Sequence, residues 1–75
     1  MKKLTFKFRN AEFYIKIDGR KITYIDRFGE KDLVASMTAT ELSEFNAAQT
    51  EDDLAKICRR DCASRGCQFV KEENS

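Results

Sequence analysis

Seventy-five residues, 41% hydrophobic and 36% charged, have the composition of a single folded domain rather than of a disordered chain. No apolar run approaches the roughly 20 residues that a helix needs to cross a bilayer. Histidine is absent, which removes Ser-His-Asp and Cys-His catalytic constellations and the zincin motif.

The formal net charge of +1 hides an uneven distribution. Residues 1–28 carry eight Lys/Arg against three Asp/Glu (net +5), and residues 29–75 carry six against ten (net −4). Such a charge dipole steers a charged partner towards one side of the molecule and also allows self-association as a homodimer.

The chain begins Met1-Lys2-Lys3-Leu4, but Lys7 and Arg9 interrupt any apolar signal-peptide core. From Leu4 the pattern has a period of two. Leu4-Thr5-Phe6-Lys7-Phe8-Arg9 and Glu12-Phe13-Tyr14-Ile15-Lys16-Ile17-Asp18 alternate apolar with polar side chains, and a third β-rich run covers Arg20–Phe28. With Asn10-Ala11 as the first turn, Phe8 faces Phe13, Phe6 faces Ile15 and Leu4 faces Ile17. With Asp18-Gly19 as the second, Ile15 faces Ile22 and Phe13 faces Tyr24. The two turns give one continuous apolar face of an antiparallel meander. The same register sets Lys16 opposite Lys21, an unfavourable pair that argues for a looser second turn. Phe28 to Lys31 carries the next turn signal, and Asp32–Met37 is expected to return as a short fourth strand.

The period then changes. Thr38-x-x-Glu41 is a capping box, with Leu42 and Phe45 on one face of a short helix ending near Ala48. Thr50-x-x-Asp53 opens a second helix, with Glu51, Asp52 and Asp53 in its first turn and Gly66 as its stop. Cys67–Val70 can add a short final strand, and residues 71–75 are expected to fray. The fold expected is α+β in one domain over residues 1–75. A three- to four-stranded antiparallel sheet (4–37) is covered on one face by two short helices (38–66).

Three groups of side chains could carry function. Cys58, Cys62 and Cys67 are odd in number and crowd one segment, so they form no disulfide framework, and a cytoplasmic location is expected. Their spacing fits no structural zinc pattern, and no metal or other cofactor is expected. Leu54, Ile57, Cys58 and Cys62 share one arc of the helix, which places the thiols at the border of the core. The outer sheet face, with Lys7, Arg9, Tyr14, Lys16 and Lys21, has the composition of a basic surface with one aromatic. Single-stranded nucleic acid could lie on such a surface, although stacking platforms usually offer two or more aromatics. Lys56, Arg59 and Arg60 project together from the second helix, where cations also suit the last turns and Asp52 can pair with Lys56. Gly19, Gly29 and Gly66 are isolated, so no phosphate-binding loop is present, and no carboxylate pair is placed for acid–base work.

These observations point away from an enzyme. The function expected is a small protein-interaction module, an inhibitor, adaptor or regulatory subunit that docks on a larger protein or complex. The alternatives are a nucleic-acid-binding module using the basic face and a metal-stapled domain using the cysteines. In general character the chain looks like the small accessory proteins of phages and mobile elements. Some of those inhibit host defence complexes by occupying nucleic-acid sites.

Overall fold

The computed structural model describes all 75 residues. Its elements are β1 (Lys2–Phe8), β2 (Ala11–Asp18), β3 (Lys21–Asp26), β4 (Gly29–Asp32), a 3₁₀ turn (Val34–Ser36), α1 (Ala39–Ala47), α2 (Glu51–Ser64) and β5 (Gln68–Asn74). All five strands form one antiparallel sheet in the order β4-β3-β2-β1-β5. The α+β architecture expected from the sequence is therefore the one observed. No helix is long and apolar enough to cross a membrane.

Both hairpin registers differ from expectation by two residues, in opposite senses. The first turn is Arg9-Asn10, with φ of 52° and 67°, so Phe6 pairs with Phe13 and Phe8 with Ala11. Positive φ at both central residues is the type I′ pattern, whose twist matches the flanking strands, and asparagine tolerates it well. The second turn is Gly19-Arg20, with φ of 61° at Gly19 alone, as in a II′ turn. Lys16 now faces Thr23, and Lys21 faces Asp18. The like-charge clash disappears. A shift of two residues keeps every side chain on its own face, so the inner apolar face survives.

Three further boundaries are corrected. β1 begins at Lys2 rather than Leu4. The fourth strand is Gly29–Asp32, because an Arg27-Phe28 turn, closed by the Phe28 N–H donating to Asp26 Oδ1 at 2.8 Å, reverses the chain early. Residues 34–36 then form a 3₁₀ turn instead of a strand. Residues 71–75 do not fray. β5 runs to Asn74 beside β1, and Ser75 N–H donates to Met1 O at 3.0 Å. Its register slips between Thr5 and Phe6 at a bulge that leaves Val70 unpaired. The slip puts Phe69 and then Glu72 on the inner face, with Phe69 opposite Phe6 and Glu72 opposite Leu4. Glu72 is tolerated there because Lys2 Nζ lies 3.1 Å from it and 2.7 Å from Asp52 of α2. These carboxylates hold the Lys2 ammonium above the ordinary lysine range.

Both capping boxes form, Thr38 with Glu41 and Thr50 with Asp53, and the hydrogen bonds hold Glu41 and Asp53 below the usual carboxylate range. α2 ends in a Schellman motif. Gly66 N–H donates to Ala63 O at 3.0 Å and Cys67 N–H to Cys62 O at 2.9 Å, with Gly66 at φ 84°. The core joins Leu4, Phe6, Phe13, Ile15, Ile17 and Ile22 of the sheet to Phe45, Ala48, Leu54, Ala55 and Cys58 of the helical layer. Leu42, expected to share the buried face of α1 with Phe45, is 39% exposed.

The outer sheet face holds one anomaly. Thr5 is 2% exposed, flanked across the sheet by Tyr14 and Lys71, and its Oγ1 has no hydrogen-bond partner. An orphaned buried hydroxyl costs stability, whereas valine fills the same shape and suits a strand. Thr5→Val is expected to be neutral or to add up to about 1 kcal/mol in urea unfolding. A loss above about 1 kcal/mol would mean the hydroxyl has a partner.

Candidate functional site

Strand alternation distributes the expected outer-face residues more evenly than their sequence positions suggest. Lys3, Lys7, Lys16, Lys21 and Lys71 share that face with Glu12, Asp18, Glu30, Asp32 and Glu73. β2 contributes Glu12 and Asp18 to this balance, β4 adds Glu30 and Asp32, and β5 adds one charge of each sign, Lys71 and Glu73. Tyr14 stands at the centre with the Lys3 ammonium 4.3 Å from its ring centroid, and Arg9 has left the face for the first turn. The surface is thus mixed in sign, with a single aromatic already covered by a cation.

The cationic side of α2 also divides. Arg59 stacks on Phe69 of β5 at 3.9 Å, and Arg60 turns to Glu44 of α1 at 2.7 Å and to its neighbour Asp61 at 3.1 Å. Asp52 pairs with Lys2 and not with Lys56. Lys56, Arg59 and Arg60 therefore point to three different surroundings. Two of them are occupied in holding the fold.

The cysteines follow the core arc. Cys58 is buried, and Cys62 and Cys67 are half-buried and free. Burial pushes the Cys58 thiol up to about 12 and the Cys62 thiol up to about 11. Both are protonated near neutral pH, and the thiolate is the form that binds metal or reacts. No group of three Cys, Asp or Glu side chains converges as metal ligands would.

The feature that sequence reading missed lies where the inner face runs out from under the helices. The Arg9-Asn10 and Arg27-Phe28 turns sit at the same end of the sheet. There a groove of about 470 Å³ is lined by Phe8, Phe13, Tyr24 and Phe28, with Cys62 and Cys67 on its helical wall. Phe8 was expected under the helices; the shorter first hairpin carries it past them and leaves it 42% exposed. Phe28 is 82% exposed. Each turn stacks an arginine on its phenylalanine, Arg9 over Phe8 at 5.2 Å and Arg27 over Phe28 at 4.9 Å. Neither arginine makes an ion pair. Arg65 reaches the rim from α2, and Lys31 stands opposite Tyr24 on β4. Glu12 and Asp26 are the acidic members of the lining, and Asp26 is engaged by the Phe28 N–H. Tyr24 is half-buried, and its phenol is held above the ordinary tyrosine range by desolvation and by Asp26. A phenylalanine adjacent to an arginine, Phe8-Arg9 at one turn and Arg27-Phe28 at the other, was the available sequence signal; the two turns are 18 residues apart and only the sheet brings them together.

A second cavity, of about 170 Å³, lies between sheet and helices and is lined mainly by core side chains such as Ile15, Ile22, Phe45 and Leu54. Ser36, Glu41, Asp61 and Arg65 also line it, so it opens from the edge of the core to the surface. Comparison of the chain with family models, with characterised proteins and with solved structures found no match.

Proposed function

We propose that this chain is a non-enzymatic interaction module that docks on a larger protein through the groove at its turn end. Its occupant is a partner segment carrying an apolar anchor side chain flanked by carboxylates. The observation that carries this reading is the pair of exposed phenylalanines, each under an arginine without an ion-pair partner, on either side of an apolar groove. Aromatic and arginine side chains dominate binding hot spots, because they bury large areas and the guanidinium pairs with carboxylates in a fixed fork. Phe8 and Phe28 are poorly placed for stability, since their rings stay in water. A partner would remove that surface from solvent. Inhibitors, adaptors and regulatory subunits act by such docking.

The nucleic-acid reading retains Lys7, Tyr14, Lys16 and Lys21 on the outer face, but the equal number of carboxylates there opposes phosphate binding. Both readings meet in one experiment. Affinity capture from the native host is run with the wild-type chain, an Arg27→Glu/Phe28→Ala variant and a Lys7→Glu/Lys16→Glu variant. A protein lost only with the groove variant is then purified, and its affinity is measured directly. The expected result is a loss of about 30-fold or more for the groove variant, the scale of a hot-spot pair, with little change for the outer-face variant. Undiminished binding by the groove variant sinks the reading. Oligonucleotide binding in low salt that disappears with the outer-face variant would replace it by the nucleic-acid one.

A further inference from the structure

Cys62 and Cys67 occupy positions of the α2 terminus that a Schellman motif forces together. Counting from the cap, Cys62 is the third residue back inside the helix and Cys67 the second residue beyond it, and side chains at these two positions commonly touch. The Cys67 N–H to Cys62 O bond of 2.9 Å fixes the backbones. With standard backbone dimensions it bounds the Cα separation at about 6.8 Å, the upper end of what a disulfide spans. Both side chains pack on the core edge and both line the groove wall. Cys58 is the third thiol, but it is buried one turn further back in the helix.

We propose that Cys62 and Cys67 form a reversible thiol–disulfide pair, oxidised by a low-molecular-weight disulfide, at the wall of the turn-end groove. Cys67, beyond the helix end, makes the first attack, because burial keeps the Cys62 thiol protonated. The Cys67 sulfur displaces one thiol from the small disulfide and forms a mixed disulfide. The Cys62 thiol then gives its proton to solvent as its sulfur attacks the Cys67 sulfur of the mixed disulfide, and the second small thiol leaves as a thiolate that takes up a proton, closing the protein bond. The two hydrogens lost by the protein end on the two small thiols released, so the protein is oxidised by two electrons and the small disulfide is reduced by two. Closure ties the last turn of α2 to the start of β5 and withdraws both thiols from the groove. The site does not depend on the identity of any partner. Its failure would leave the docking proposal intact, and a failed docking proposal would leave the thiol pair intact.

The test uses the full chain equilibrated with oxidised and reduced glutathione at pH 8, trapped with N-ethylmaleimide and examined by intact mass and peptide mapping. The expected product has lost two hydrogens, links Cys62 to Cys67, leaves Cys58 free and retains no glutathione. Cys62→Ser is expected to stop at a glutathione adduct on Cys67, while Cys58→Ala oxidises as the wild type does. The oxidation equilibrium is expected to favour the folded chain over the urea-unfolded chain by at least tenfold, since only the folded chain holds the thiols together. Three free thiols, a stable glutathione adduct on the wild type, a bond mapped to Cys58, or an equal equilibrium in urea would each overturn the proposal.

Discussion

Phe6→Ala is expected to remove about 3–5 kcal/mol of stability, the cost of truncating a fully buried phenylalanine. A domain of this length holds only about 4–11 kcal/mol in total, so the variant stands close to unfolding in plain buffer. The site justifies the upper part of that range. Phe6 is 1% exposed and stacks on Phe13 with ring centroids 5.3 Å apart and planes at 15°. On its other side it meets the edge of Phe69 at 5.6 Å and 67°. The ring therefore joins the β1–β2 hairpin to β5. Phe69 is covered in turn by Arg59 of α2. Neither neighbour can collapse into the space without breaking the other contact, and a cavity that cannot collapse costs the most. Phe28→Ala is the matched control. Its ring is in water, so the same truncation is expected to fall within about 0.5 kcal/mol of wild type. Urea unfolding of the two variants decides the matter. A loss below about 1.5 kcal/mol at Phe6 would mean that the core repacks freely around it.

That contrast between two phenylalanines shows which parts of the molecule were legible in the sequence. Inner and outer faces were, because alternation has a period of two and a register error of two residues preserves it. Helix starts were also legible, because Thr38 with Glu41 and Thr50 with Asp53 act within one turn of chain and need no tertiary help. The turns themselves were not. The choice between Arg9-Asn10 and Asn10-Ala11 depends on where positive φ is cheapest, and asparagine suits either placement. The start of β5 was legible at Cys67–Val70, but its continuation to Asn74 was hidden by the bulge, which breaks the alternation of Gln68–Asn74 and makes the paired second half look like a polar tail. Its inner-facing Glu72 makes sense only with Lys2 beside it, 70 residues away. The groove was hidden for the same reason. Phe8 and Phe28 look like ordinary strand and turn aromatics until the sheet order sets their turns side by side and the helices stop short of them.

Arg20 is the residue whose role no local pattern announces, and its replacement is the other large effect expected. Lying in the second hairpin turn, it reaches the C-terminal end of α1. Its Nη1 donates to Ala48 O at 2.6 Å and its Nη2 to Phe45 O at 2.7 Å. The guanidinium carbon also sits 4.2 Å from the Phe45 ring centroid. α1 has only nine residues and no basic side chain in its own last turn, so its terminal carbonyls depend on this borrowed cation. The neighbouring Gly19 N–H donates to Glu51 Oε2 at 2.6 Å, which binds the same turn to the start of α2. One hairpin turn thus holds the junction between the two helices. Arg20→Met keeps the stem but leaves Ala48 O without a donor, leaves Phe45 O with only the Ala48 N–H at 3.2 Å, and removes the cation above Phe45. The expected cost is about 2–3 kcal/mol, from two charge-assisted bonds and the ring contact after allowance for partial exposure. Arg20→Lys keeps the charge without the fork, since one ammonium cannot span both carbonyls in the same geometry, and is expected to recover less than half of that loss. Hydrogen exchange adds a local readout. Protection over Ala39–Ala47 should fall in Arg20→Met before protection in β1 and β2 does, because the sheet keeps its own ladder. Equal stability of Arg20→Met and wild type, or a lysine variant as stable as arginine, would show that the α1 carbonyls are satisfied by solvent and that the turn does not hold the helical layer.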